Sequence, residues 1–306
     1  MTDPSREADA PNVPETTDSP ALRLEPEPAA AGPTEPADEP IRLGGMAMRN
    51  GLLIHGPTGW AAAVRTRSGE VEVASGKKPS LSHGALGKIP MLRGPVRLGE
   101  AMAVLPLVRL KLRSARMAFE DPRVIVVGAL AQALTSFVRR DGRTGPREEM
   151  IAALIGIVPA LAALRDPNLA AYHGAEHKAI GAYESGETIE ATPKEHRRCG
   201  SNIVVPLLAL SAAGQLVIEA SVDEPGPVVR AFAALAAMGG AVELFANAEK
   251  HPDSLLGRSV QVPGHEIQRL ISTREPSPEQ IAVADAALRE ILTVEDARDR
   301  RSGEFM

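Results

Sequence analysis

The sequence predicts an α+β protein: a small N-terminal antiparallel β meander, then a helix-rich, membrane-associated domain, all behind a disordered tail. Three observations carry this reading. Residues 1–40 hold nine prolines and ten acidic residues against Arg6 and Arg23, too little apolar surface to offset the entropy of an ordered chain. Residues 41–75 form short β-like pieces separated by turn residues. From about residue 96 the pattern becomes apolar and amphipathic helix, interrupted by charged loops.

In the meander, Gly51–His55 ends at the turn cluster Gly56-Pro57-Thr58-Gly59. Ala61–Arg67 and Glu70–Ala74 then flank Ser68-Gly69, and Val71 and Val73 alternate with glutamates, as a hairpin with a wet face requires. Residues 76–95, rich in Gly, Pro, Ser and Lys, read as loop. Residues 98–119 mix apolar side chains with Arg109, Lys111, Arg113 and Arg116, which suits a surface or interfacial helix.

Four apolar blocks follow at about 124–138, 150–164, 203–218 and 228–242. Each falls short of the roughly 20 residues that span a bilayer comfortably, so length leaves membrane helices and a buried bundle both open. If all four cross, the linker 219–227, without Lys or Arg, lies outside and the loop 165–202 is cytoplasmic. The same arrangement places Arg139, Arg140, Arg143 and Arg147 outside unless the first two blocks form a re-entrant or interfacial hairpin. Near the end, Ser277-Pro278-Glu279 supplies an N-cap, a first-turn proline and an early carboxylate. Ile281, Ala284, Leu288, Ile291 and Leu292 mark the apolar face of that helix. The organisation is thus a tail (1–40), a β-rich segment with its loop (41–95), a helical domain (96–292) and a flexible end (293–306).

The net charge of -5 is uneven. The tail carries about -8, which leaves about +3 on residues 41–306. Those basic residues are scattered without aromatic interleaving, which argues against nucleic acid as a partner. Cys199 is the one cysteine, so no intramolecular disulfide forms and a reducing compartment follows.

The chemistry concentrates in Tyr172-His173-Gly174-Ala175-Glu176-His177-Lys178. Asp166-Pro167 starts a helix that ends near Gly186, and on it His173 and His177 lie one turn apart on one face. Two imidazoles so spaced can share one Zn²⁺, with Glu176 left to act on water, as in the inverted zinc-protease order H-x-x-E-H. A pair of core histidines satisfied by backbone or Glu176 is the structural alternative. Glu184 is about 10 Å further along the axis, too far to share that metal directly. A third ligand must come from His196, Cys199 or Glu243. Arg197 and Arg198 beside Cys199 would favour its thiolate, and hence a nucleophile. Glu243, ending an apolar block, either ligates the metal or pairs with an arginine.

These segments resemble the YqhQ-like family of bacterial proteins of unknown function, often described as predicted metal-dependent membrane enzymes. The resemblance covers roughly residues 41–292, through GGMAMRNGLLIHGP at 44–57, KIPMLRG at 88–94, YHGAEHKAIGAYE at 172–184, HRRCG at 196–200 and PGHEIQRLISTREPSPEQIAVADAAL at 263–288. It implies functional roles for His173, Glu176, His177, Glu184, His196, Arg198, Cys199 and Glu243, and membrane helices around the His-rich loop. The first block departs from the family, with Met46, Asn50 and His55 in place of glutamine, glutamate and arginine. Arg197 replaces a proline, and His265-Glu266 replaces Leu-Trp.

The expectation is a membrane-associated, metal-dependent enzyme, most naturally a hydrolase. Its metal is held by His173 and His177 with Cys199, His196 or Glu243, and Glu176, Arg198 and Cys199 are the candidate catalytic groups. Zinc is the default metal, and iron would fit a His/Glu set. The partners are a lipid bilayer and a substrate the sequence does not name. The expected location is the cell membrane, with the His-rich loop on its cytoplasmic side. Two competitors stand beside this: a metal-free thiol enzyme using Cys199 with a histidine base, and a non-catalytic membrane scaffold.

Overall fold

The computed structural model describes residues 40–80, 89–138, 146–222 and 225–303. The acidic tail therefore lies outside the described residues, apart from Pro40, as do Arg139, Arg140 and Arg143.

The meander forms a four-stranded antiparallel sheet in the order β1-β2-β3-β4, with β1 Gly44–Met48, β2 Gly51–His55, β3 Gly59–Arg65 and β4 Val71–Lys77. β2 and β3 pair from Gly51 with Val64 to His55 with Trp60. They are buried on both faces, which is why they read as continuous apolar runs rather than alternating ones. One face (Leu52, Ile54, Ala61, Ala63) packs on helices α5 Pro167–Ser185 and α9 Pro278–Gly303. The other (Leu53, Trp60, Ala62, Val64) packs on Val104, Val108 and Leu112. β4 is an edge, and Val71 and Val73 remain exposed.

The predicted surface helix over 98–119 is instead two short ones, α1 Arg93–Met102 and α2 Val104–Lys111. Pro106 lacks an N–H and is tolerated in a first turn, so the helix restarts just before it. α1 also begins within the segment expected to be loop.

Helices α3 Pro122–Val138 and α4 Pro146–Leu164 pack along each other, as do α6 Val204–Ser221 and α7 Pro227–Lys250. Both pairs return to the sheet-bearing body. Arg49 on the β1–β2 turn bridges Asp121, just before α3, and Asp166, just after α4, at 3.1 and 2.8 Å. Arg42 bonds Glu249 at the end of α7 at 2.8 Å. The two pairs are thus hairpins whose open ends face the same polar body. Their outer surfaces are apolar, with Ile125, Leu130, Phe137, Leu154, Val217 and Phe232 all exposed. So many exposed large apolar side chains on two hairpins mark a surface suited to contact with lipid or with another protein.

Two of these helices are long and apolar enough to cross a membrane: Gly200–Ser221, with 22 residues, and Pro227–Lys250, with 24. They exceed the sequence-based blocks because helix continues through Glu219 and Glu243, where hydropathy stops. α3 is shorter, at 17 residues. α4 meets α5 at a bend of 86°. α5 turns into the body, and most of its side chains are buried against β1, β2 and α9.

α9 runs to Gly303 rather than ending near 292. The added turn is held by Glu295, whose carboxylate accepts from Thr58 N, Thr58 Oγ1 and Gly59 N at 3.1, 2.7 and 2.7 Å. One buried carboxylate therefore ties the helix to the β2–β3 turn.

Candidate metal centre

α5 starts where Asp166 and Pro167 direct it. The Asp166 carboxylate accepts from Asn168 N at 2.9 Å, and Gly186 closes the helix in the left-handed region at φ 74°. This fixes the phase that brings His173 and His177 onto one face, with ring centroids 4.4 Å apart.

Each ring is oriented from behind by a backbone carbonyl. His173 Nδ1 donates to Ser272 O at 2.8 Å and His177 Nδ1 to Lys194 O at 2.7 Å. A carbonyl only accepts, so in each neutral ring the proton resides on Nδ1 and Nε2 carries the lone pair. Metal-binding histidines are commonly held this way by their outer neighbours. Burial, and then the neighbouring His173, push His177 well below its ordinary value, which keeps it in the neutral, ligating form.

Cys199 precedes the 3-10 turn Gly200–Ile203 that leads into α6. Its Sγ lies 3.4 Å from His173 Nε2. Among the described residues, His173, His177 and Cys199 each offer a donor atom within 4.8 Å of the other two. Tetrahedral zinc with Zn–N of about 2.0 Å and Zn–S of about 2.3 Å separates N from S by about 3.5 Å. The Cys199–His173 spacing already matches that edge, and the donor set (two imidazoles and a thiol) is one zinc accepts.

The remaining predicted groups sit around this cluster in different ways. Glu176 is buried and lines a cavity of about 80 Å³ together with the three donor residues. Burial raises its carboxyl to about 8, opposed by the charge of His173 and assisted by Cys199. His196 is one layer out: its Nε2 is 3.2 Å from Glu184 Oε2 and its ring centroid 5.7 Å from His177. It is not one of the three converging donors. Arg198 pairs with Glu184 and lines the cavity, so Glu184 binds Arg198 and the His196 ring rather than a metal. Glu243 is removed from the donor set. It pairs with Arg93 on α1 and accepts from Met91 N at 3.3 Å, because a carboxylate this far along an apolar helix needs a cation. The expected thiolate-promoting effect of the arginines is absent as well. Arg198 is engaged by Glu184, and burial pushes the Cys199 thiol up from its ordinary value.

Sequence reasoning missed the parts that shape the cavity. Gly45 of β1 lies so close to Glu176 that a Cβ there would stand 2.5 Å from Oε1. The adjacent Gly44-Gly45 pair opening a strand was the available signal. Gly174 serves a related purpose: a Cβ would meet Arg274 O at 2.2 Å, so the glycine lets residues 272–274 lie against α5. A π-helical turn, Gln268–Ser272, continues α8 Leu255–Ile267 and delivers the Ser272 carbonyl to His173. Gln268 Oε1 accepts His196 N at 2.7 Å from the same turn. Such turns recur at functional sites, and Pro263 within α8 was their local sign.

The family described as "Protein of unknown function (DUF1385)" matches residues 148–294, which contain all three donors and the π turn but not the sheet. The Bacillus subtilis (strain 168) protein named "Uncharacterized protein YqhQ" is 28% identical over 129 residues. That stretch covers 40% of each chain, so this chain spans well under half of its relative's length. No solved structure matches. With the shared blocks around α5 and Cys199 and these two matches, the helical part of the chain is similar to the YqhQ-like proteins.

Proposed function

We propose that the protein is a membrane-embedded, zinc-dependent hydrolase, with His173, His177 and Cys199 as ligands and its polar body on the cytoplasmic side. The observation that carries the metal is the convergence of three donor atoms within 4.8 Å, two of them on rings locked from behind by backbone carbonyls. A zinc ion held there would supply Lewis acidity toward water and toward an acyl or phosphoryl oxygen. Three protein ligands leave a fourth position, the arrangement of catalytic rather than structural zinc. Glu176 shares the cavity, and with the charge of a bound cation offsetting the burial that holds its carboxyl protonated, it is the group suited to take a proton from water inside it. Arg198, tethered by Glu184, borders the cavity where negative charge on a substrate would develop.

The membrane placement rests on the apolar exterior of the two hairpins and on charge. Arg109, Lys111, Arg113, Arg116, Arg123 and Arg165 flank the body-side ends in sequence, and the α6–α7 connection has no Lys or Arg, while Arg139, Arg140, Arg143 and Arg147 require the α3–α4 hairpin to be re-entrant or interfacial rather than fully crossing. The positive-inside rule then places the body in the cytoplasm.

The test is cobalt substitution of the full chain in detergent. Cobalt bound by Cys199 gives a thiolate charge-transfer band that vanishes in Cys199→Ser. Loss of that band with retained intensity of the ligand-field bands identifies the sulfur as ligand. A spectrum unchanged by the substitution removes Cys199 from the site.

The Cys199–His173 contact also supports a second reading, a thiol enzyme with a histidine base. Rapid alkylation of Cys199 in metal-stripped protein at neutral pH would favour it. Slow alkylation, as the buried thiol predicts, would not.

A further inference from the structure

A groove of about 400 Å³ opens on the body at the base of the α3–α4 hairpin and shares no lining residue with the donor cavity. Four arginines border it (Arg49, Arg65, Arg67 and Arg116) with Asn168 and Tyr172, and no carboxylate lines it. Arg49 spends its charge on Asp121 and Asp166. The other three are not so occupied. Arg65 Nε reaches only the Gly69 carbonyl at 3.3 Å, and the exposed Arg67 and Arg116 have no ion-pair partner among the described residues. Glu279 in the first turn of α9 feels the charge of Arg65 but takes its hydrogen bond from Ser277 Oγ at 2.6 Å, and it does not line the groove. Concentrated like charge of this kind is destabilising unless an anion offsets it.

The position of the groove identifies the anion. Arg49 ties it to both ends of the hairpin, at Asp121 and Asp166, and Asn168 stands on the first turn of α5. The groove therefore lies where the apolar helices leave the polar body, which is headgroup depth if those helices are in lipid. We infer that this four-arginine groove binds the phosphate headgroup of an anionic phospholipid from the leaflet facing the body. Fork-shaped guanidinia suit phosphate oxygens, and the Tyr172 ring and Asn168 amide give the groove an amphipathic wall. A groove this size holds one headgroup rather than a nucleic-acid strand. The inference rests on the membrane placement proposed above, not on the metal.

The experiment has two stages on the full chain. Flotation with vesicles of phosphatidylcholine, with and without phosphatidylglycerol, reads the embedding. Titration of detergent-solubilised protein with short-chain phosphatidylglycerol, short-chain phosphatidylcholine and inorganic phosphate reads the groove. Phosphatidylglycerol binds tightest, and R65Q/R67Q/R116Q weakens it roughly 100-fold, from about fivefold per arginine near a membrane surface. The exposed single changes R67Q and R116Q, which disturb no packing, each weaken it about fivefold, whereas R258Q on α8 does not. Equal affinity for both lipids, saturation by inorganic phosphate at equal affinity, or unaltered binding in R67Q and R116Q overturns the groove. Failure to float with either vesicle overturns the embedding and the groove together, leaving the metal proposal standing.

Discussion

His173 Nε2 and Cys199 Sγ, separated by 25 intervening residues, stand 3.4 Å apart because two distant segments aim them there. The Ser272 carbonyl turns the imidazole, and the N-cap of the 3-10 turn Gly200–Ile203 presents the sulfur. The site is therefore assembled from α5, the 194–200 segment and the π turn, and each makes a distinct demand on the sequence.

Gly45→Ala places a methyl against the Glu176 carboxylate, between β1, which pairs with β2, and the buried face of α5. Overpacking of this sort costs about 1–3 kcal/mol. Denaturant unfolding should show that loss, and the residual folded protein should bind metal less tightly. Unchanged stability would mean β1 is free to shift away from α5.

Glu295→Ala removes the acceptor of two backbone N–H groups and the Thr58 hydroxyl at the β2–β3 turn. Leaving buried donors unmade costs about 1–3 kcal/mol. A chain truncated after Leu292 should lose at least as much, measured by the same unfolding midpoint. Full stability of the truncated chain would show that the last turns of α9 are dispensable.

His55, which does not line the donor cavity, sets a pH dependence of its own. Burial, and then the charge of Lys78, lower it from 6.5 to about 4. The unfolded chain therefore takes up a proton on falling through pH 6.5, while the folded chain resists until about 4. Stability is full above pH 6.5 and declines between 6.5 and 4 by up to about 3 kcal/mol. His55→Gln should flatten that decline in pH-dependent unfolding. A curve as steep as the parent's would assign it to other groups.

Glu176→Gln keeps the shape of the cavity wall but cannot accept a proton. It should retain bound metal and lose whatever cellular function the intact chain restores to a deletion strain. Full function with Gln would favour a scaffold over an enzyme.

Local patterns made the β strands, α5 and the start of α9 legible, since turn residues, caps and periodicity act over a few positions. The histidine pair was legible for the same reason: it lies within one turn of one helix. Its partner was narrowed to Cys199, His196 and Glu243, and the choice among them depended on tertiary placement. Glu243 showed the ambiguity best, because an acid on an apolar helix is equally a ligand or half of an ion pair until Arg93 is seen beside it. Gly45, Gly174 and the π turn act by letting backbones approach, which leaves little trace in residue chemistry. The helix lengths of α6 and α7 were missed because hydropathy ends at a carboxylate while hydrogen bonding continues through it.

The central claim is that His173, His177 and Cys199 hold one metal ion. The most direct measurement is elemental analysis of the full chain, purified in detergent without a chelating tag and equilibrated with stoichiometric zinc. The account predicts about one zinc per chain in the parent, in Glu176→Gln, in His196→Ala and in Glu243→Gln, and strong depletion in His173→Ala, His177→Ala and Cys199→Ala. A parent chain that retains no metal, or depletion by Glu243→Gln equal to that by Cys199→Ala, would contradict it.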